Sequence, residues 1–397
     1  MLETRIAKEL AYISQAGLAR RITELYFVNP AQAQDRTGKT YLVLASNNYL
    51  GFTHAPEVIE AASRAALKFG TGSSGSRLTT GGTFIASELE KRLADFKHSE
   101  SALVFNTGYM TNLGILYGLL QTGDVVFSDE LNHASIIDGC RISRCKVVVY
   151  KHNDMADLQR LLETEIVTGQ RFIVTDGVFS MDGDIADLPS LAVLKKQFNA
   201  CLIVDDAHGV GVIGNDGSGT ASHYGLTDVI DLQVGTLSKA LAAEGGYVAG
   251  KKILIDYLIN RSRPFIFSTA LAPATLAAAN AALLLSQTQA SKYLDSLRAN
   301  SRLMRRLLLE GGLNVVEGIT PIIPVVIGEA GLTMQFADRL KSKGILVSGI
   351  RPPTVPRGES RLRITVTAAH CEEQLRQAAQ IITALWQELK HGEKKEG

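Results

Sequence analysis

The sequence predicts an α/β protein with a mostly parallel central sheet, helices on both faces, and a smaller α+β C-terminal domain. Three observations predict it. The middle of the chain alternates short β-branched runs with amphipathic helical patterns. Several of those runs, such as CLIV, are apolar throughout, as strands covered on both faces are. From about residue 290 the texture changes to charged helices and isolated strands. The boundaries that follow are an N-terminal arm over 1–55, a large domain over 56–289 and a small domain over 290–397.

Each element has its own local signal. MLETRIAKELAYISQAGLARR mixes charges with apolar residues at helical spacing and lacks the unbroken apolar core of a signal peptide. APEVIEAASRAALKF is helical. ALVF leads into NTGYMTNLGILYGLL, a strand-to-helix turn. KVVVYKH is strand-like, with the helix DMADLQRLLETE after it. RFIVTDGVF and ACLIVDDAH are strands separated by the helix LPSLAVLKKQF, and VIDLQVGTLSK contains another strand. LAPATLAAANAALLLS is too short for a membrane span and reads as a buried helix. Beyond it come helix SKYLDSLRANSRLMRRLLLEGG, strand PIIPVVIG, helix LTMQFADRLKSKG, strand RLRITVT and helix EEQLRQAAQIITALWQELK.

Composition narrows the function classes. With 46% apolar residues, 20% charged residues and a net charge of +1, the chain has neither a basic surplus for nucleic acid nor an acidic tail. No nucleic-acid or membrane partner is expected. Four cysteines without CxxC spacing read as free thiols in a reducing cytoplasm. Eight histidines without an HExxH pair predict no metal site.

In a parallel α/β sheet, ligands gather at the carboxyl ends of the strands. The polar residues just after strands are Asp176 and Ser180, then Asp205, Asp206 and His208, then Thr236, Ser238 and Lys239, with His133 and the NTGYM turn upstream. Two GxGxxG matches (Gly70, Gly72, Gly75; Gly209, Gly211, Gly214) lack the strand-glycine-helix context of a dinucleotide site. GGYVAGKK misses the P-loop hydroxyl at Lys252, and no GxSxG elbow is present. Lys239 stands out because nearly every neighbour in VGTLSKALAAEGG is small, which leaves volume for a bulky group. A lysine after one strand and an aspartate after an earlier one suit pyridoxal phosphate. The lysine bonds the aldehyde, the carboxylate pairs with the ring nitrogen, and a helix start with hydroxyls holds the phosphate.

The motifs SNNYLGF (46–52), GTGSSGSRLTTG (70–81), NTGYM (106–110), LNHAS (131–135), TDGVFSMDGD (175–184), VDDAHGVGVIG (204–214), TLSKA (236–240) and GIRPPTVPRGESRLRITVTAAH (349–370) resemble the α-oxoamine synthases. These are pyridoxal 5'-phosphate enzymes of the type I, aspartate aminotransferase-like fold, and the resemblance spans nearly the whole chain. It implies that Lys239 bonds the cofactor, Asp205 pairs with the ring nitrogen, and His208 and Ser180 bind the phenolic oxygen. It further implies that His133 stacks on the ring, that Gly108 and Tyr109 border it, and that Thr236 contacts the phosphate. Lys239, His133, Asp205 and His208 are thereby the catalytic set. Ser268 and Thr269 are implied to reach the phosphate of a partner subunit. Arg363, helped by Asn47, is implied to bind the amino-acid carboxylate, and Arg21 and Thr354 the acyl substrate, although the Arg20-Arg21 pair leaves that register open. Strand parity places Asp206 on the face opposite Asp205, and Arg361 on the same face as Arg363, where one arginine could simply be an ion-pair residue.

The last motif most resembles the biotin-pathway branch. That branch implies a homodimer with an interfacial site and a decarboxylating condensation of L-alanine with a pimeloyl thioester. The alternatives are a family member using glycine or serine, a lyase acting on β-hydroxy amino acids, and an inactive partner subunit. The last would be expected to lack Lys239.

Overall fold

The structure, a computed structural model, describes residues 1–15, 17–20 and 22–396, with side chains described through Lys390. Three short strands come first: β1 (Tyr26–Asn29), β2 (Gln32–Gln34) and β3 (Thr40–Val43). Seven follow: β4 (Ser101–Phe105), β5 (Val125–Asp129), β6 (Lys146–Tyr150), β7 (Arg171–Asp176), β8 (Ala200–Asp205), β9 (Leu232–Thr236) and β10 (Gly246–Gly250). The last four are β11 (Ile322–Gly328), β12 (Ile345–Leu346), β13 (Ser348–Ile350) and β14 (Ser360–Thr365).

Strands β4 to β10 form one sheet in the order β4-β10-β9-β8-β7-β5-β6. The five from β5 to β9 pair in parallel. GYVAG, which the sequence shows only as a failed P-loop, is strand β10, antiparallel to both β9 and β4. Successive residues of β8 feed different cores: Ile203 packs with Val126, Val174 and Val234 on one face, and Leu202 and Val204 with Phe127 and Ile173 on the other. That two-sided burial is why the run reads as uniformly apolar.

A separate antiparallel sheet, β11-β14-β13, packs with the helices Ala330–Ser342 and Glu372–Glu396 around Ile323, Phe336, Leu362 and Leu375. Leu44, just after β3, belongs to that core. Strand β3 pairs in parallel with β12, so part of the 1–55 segment is hydrogen-bonded into the 290–397 segment. Among the described residues no helix is long and apolar enough to cross a membrane. The four cysteines are unpaired.

Below the sheet edge lies a buried ion pair. Lys97 is 1% exposed and Asp206 2%, with Nζ 3.3 Å from Oδ2. Asp206 also accepts from Thr220 N (2.9 Å) and Thr220 Oγ1 (3.0 Å), and Lys97 donates to the Ser218 carbonyl. Lys97→Met keeps the volume but leaves the carboxylate without its cation. It is expected to lower unfolding free energy by about 3 kcal/mol, measured by urea denaturation of the apoprotein. A change below about 0.5 kcal/mol, the size of an ordinary surface substitution, would show that the pair carries no stability.

Candidate active site

Asp205 is the last residue of β8 and Asp206 the first beyond it, and they point apart. Asp206 turns down to Lys97, whereas Asp205 faces a cavity at the carboxyl edge of the sheet. The cavity has a volume of about 190 Å³. Thr107, Gly108, Tyr109, His133, Ser180, Asp205, His208, Thr236 and Lys239 all border it. Loops that lie more than 100 residues apart in the chain thus meet at one strand edge.

The floor is an acidic pair. Asp205 is 6% exposed, and its Oδ1 accepts from Ala207 N (3.0 Å) and its Oδ2 from Asn112 Nδ2 (2.6 Å). Asn112 lies one turn inside the helix Gly108–Leu119 and also donates to Ser135 Oγ (2.8 Å). No local pattern marks Asn112, because its partner lies 93 residues along the chain. Asp176 stands opposite Asp205 in the β7–β8 register and accepts from His133 N (3.0 Å). Burial and the nearby Asp205 charge hold the Asp176 carboxyl well above its usual range.

Lys239 is partly buried in the turn after β9, and its Nζ makes no hydrogen bond among the described residues. Burial lowers its pKa, while Asp205 and Asp176 work in the opposite direction. The small residues around it have two causes. Some line the cavity, but Gly245 (φ 121°) would place a Cβ 2.9 Å from Leu237 and 3.0 Å from Leu271, and Gly235 would strike the Tyr247 ring at 2.5 Å. Part of the smallness is therefore core packing and turn geometry.

The opposite wall is the start of the helix Gly108–Leu119. Thr107 Oγ1 caps Met110 N at 3.0 Å, leaving the N–H groups of Gly108 and Tyr109 for an anion. Thr236 Oγ1 sits against Gly108 and bonds Ser238 Oγ (2.7 Å) and the Gly245 carbonyl (2.9 Å). Tyr109 contacts His133 edge-on at 6.5 Å between ring centres and donates to Asp138. His208 shares a hydrogen bond with Tyr49 at 2.6 Å, a partner the sequence did not reveal. Burial and the nearby Lys239 charge push His208 well below its usual pKa, so it is neutral at pH 7.

Arg363 lies beside the cavity, 5% exposed. Its partners are Asn47 Oδ1 (3.2 Å from both Nη1 and Nη2), Thr365 Oγ1 (3.1 Å) and the Ser180 carbonyl. All are neutral. Arg361, two residues away, instead pairs with Asp182 and Glu359. The strand face predicted for both arginines therefore divides into an ion pair and a cation with no carboxylate among the described residues.

Three predicted residues lie elsewhere. Thr354 is exposed in a second groove of about 670 Å³ with Leu10, Ile13, Leu18, Arg20 and Pro353. Ser268 and Thr269 do not line the Lys239 cavity, although Asn106 Nδ2 donates to the Thr269 carbonyl at 2.8 Å. Arg21 falls outside the described residues.

A cavity with an amine, a carboxylate floor, a helix N-terminus and hydroxyls fits pyridoxal phosphate. The helix start and Thr236 suit the phosphate, and Asp205, Lys239 and His208 suit the ring. This fold and this site define the class: over residues 39–382 the sequence matches the aminotransferase class I and II family, and the chain belongs to it. A solved structure of serine palmitoyltransferase carrying pyridoxal phosphate superposes with a TM-score of 0.92, at 31% identity over 97% of each chain. The chain is 50% identical over 385 residues to 8-amino-7-oxononanoate synthase of Trichlorobacter lovleyi, covering 97% of this chain and 98% of that one. It is 47% identical over 374 residues to that of Lysinibacillus sphaericus, covering 94% and 96%. Within the family it groups with the 8-amino-7-oxononanoate synthases, pyridoxal-phosphate acyltransferases.

Proposed function

We propose that this protein condenses L-alanine with a pimeloyl thioester, with loss of CO2, to give 8-amino-7-oxononanoate for biotin synthesis. The observation that carries this reading is Arg363, a buried cation with only neutral partners beside the Lys239–Asp205 cavity. A buried guanidinium without a counter-charge is costly, and a carboxylate ligand offsets that cost with charge-assisted hydrogen bonds. The relatives' shared name supports the product.

Pyridoxal phosphate, when bound, supplies an electron-withdrawing ring that accepts the charge left when the amino-acid α-proton is removed. Lys239 Nζ is the base for that proton, and its burial favours the free amine that the role needs. Asp205 would keep a proton on the ring nitrogen, and His133 would pack against the ring. Ser180 and neutral His208 would bind the phenolic oxygen. Gly108, Tyr109 and Thr236 would hold the phosphate. Arg363 and Asn47 fix the alanine carboxylate. The α-carbon bonds to the acyl carbonyl and the thiolate departs; the alanine carboxylate then leaves as CO2, and a proton returned to the α-carbon from Lys239 Nζ completes the aminoketone.

Arg20, with the apolar residues Leu10, Ile13 and Leu18 in the Thr354 groove, suits an aliphatic chain ending in a carboxylate. Thr354 completes that acyl site in this reading. A homodimer is supported by exposed apolar side chains. Leu2, Ile6 and Leu10 form a stripe on the helix Leu2–Gln15, and Phe84 (96% exposed) and Phe267 (70%) are uncovered in the single chain. Phe267 directly precedes Ser268 and Thr269, which supports the reading that those two residues face a partner's phosphate. The unpaired cysteines support the reading of a cytoplasmic enzyme.

The test is a substrate panel of alanine, glycine and serine against short, dicarboxylic and long acyl-CoAs, with product mass as the readout. Alanine with pimeloyl-CoA is expected to give the highest kcat/KM. Preference for glycine with acetyl-CoA, or for serine with a long chain, would reject the assignment. Cleavage of β-hydroxy amino acids without any acyl donor would indicate the lyase reading.

A further inference from the structure

The motif TDGVFSMDGD contributes Ser180 to the cavity, but Asp182, Gly183 and Asp184 are not used there. They form a hairpin. Val178 and Ile185 bridge antiparallel, Phe179 N donates to the Asp184 carbonyl (3.0 Å), and Gly183 N donates to the Phe179 carbonyl (2.8 Å). Gly183 has φ 70°, and a Cβ there would lie 2.7 Å from the Ile322 carbonyl, so β11 approaches to backbone contact.

The hairpin is gripped from two sides. From the small sheet, Arg363 Nε donates to the Ser180 carbonyl, Arg361 pairs with Asp182, and Thr320 Oγ1 donates to the Gly183 carbonyl (2.7 Å). From the large sheet, His152 Nε2 meets Asp184 Oδ2 at 2.9 Å, and Asn153 Nδ2 reaches the same oxygen at 3.0 Å. His152 Nδ1 meets Asp129 Oδ1, at the end of β5, at 3.0 Å. The imidazole also packs edge-on against Phe179, at 4.4 Å between ring centres. Each ring nitrogen therefore faces a carboxylate, the arrangement an imidazolium requires.

We infer that His152 is a positioning residue, locking the Val178–Ile185 hairpin to the large sheet so that the hairpin holds Arg363 in register with Lys239. The cavity and the arginine sit on different sheets, and this hairpin contacts both. The inference rests on the reading of Arg363 as the carboxylate ligand.

The test uses the holoenzyme. Amino-acid affinity is read both as KM and as the dissociation constant from the change in cofactor absorbance on adding alanine. His152→Gln removes the charge and one of the two contacts, and is expected to weaken alanine binding about ten-fold. The KM for the thioester is expected to stay within two-fold. Asp184→Asn, a milder change, should shift alanine affinity in the same direction, and serves if His152→Gln folds poorly. Arg363→Lys should weaken alanine by more, and adding His152→Gln to it should cost less than the product of the single effects. Unchanged alanine affinity in both hairpin variants, with Arg363→Lys impaired, would overturn this inference alone. Unchanged affinity in Arg363→Lys would overturn the carboxylate reading, and this inference with it. Equal losses for alanine and thioester, with cofactor release, would indicate general loosening and also overturn it.

Discussion

Lys239→Ala is expected to lower turnover about 10⁴-fold, the upper range for loss of a positioned general base, while leaving the protein folded. The amine is partly buried, makes no internal hydrogen bond among the described residues, and shares its cavity with Asp205 and Asp176. Its removal therefore breaks no network that holds the fold. In the proposed mechanism it also removes the atom that bonds the cofactor and takes the α-proton. Two measurements check this: thiol release from the acyl donor, and the mass of the protein after borohydride treatment. The wild type should gain the mass of one reduced cofactor and the variant should not. Wild-type turnover in the variant would end the proposed mechanism. The lowered lysine pKa also sets a direction in pH. A base that must be unprotonated loses rate as pH falls through its own pKa, and burial moves that point below the usual lysine value.

Asp205→Asn should cost about 10³-fold in kcat/KM, the upper range for one preorganised electrostatic contact. Two effects separate cleanly here. The first is chemical: a neutral amide cannot keep a proton on the ring nitrogen. The second is structural: the new amide places one donor against Asn112 Nδ2, which now donates to Asp205 Oδ2 at 2.6 Å. That mismatch is expected to lower stability by about 1–2 kcal/mol. The double variant Asp205→Asn with Asn112→Asp restores a donor–acceptor pair but moves the charge onto residue 112 in the helix Gly108–Leu119. It should recover much of the melting temperature and little of the activity. Recovery of activity with the charge on residue 112 would show that the ring nitrogen does not need its carboxylate at 205.

The amino-acid order revealed most of what a period or a strand end can encode. β7, β8 and β9 were visible because both faces are buried, and the chemistry at their ends followed from where parallel sheets bind ligands. Parity separated Asp205 from Asp206, as the Lys97 pair demonstrates. Parity could not choose between Arg361 and Arg363, since that choice lies with Asp182 and Asn47, both more than 170 positions away. Tyr49 and Asn112 were silent for the same reason: a buried hydrogen bond between distant segments leaves no local pattern. GYVAG was missed because two glycines and an alanine among its five residues leave a single β-branched side chain. His152 stands out in the folded chain and nowhere in the linear text, where it is only the polar end of the strand-like run KVVVYKH.

The pairing of β3 with β12 bears on how the chain is made. Leu42 N bonds the Gly344 carbonyl and Leu44 N the Leu346 carbonyl, both at 2.8 Å. At about 5–20 residues per second of synthesis, the early strand waits roughly 15–60 s for its partner to emerge. During that interval its edge amides and the apolar Leu44 have no native cover. Chaperone dependence and aggregation of nascent chains should therefore track this one late-closing ribbon rather than the early-completed central sheet.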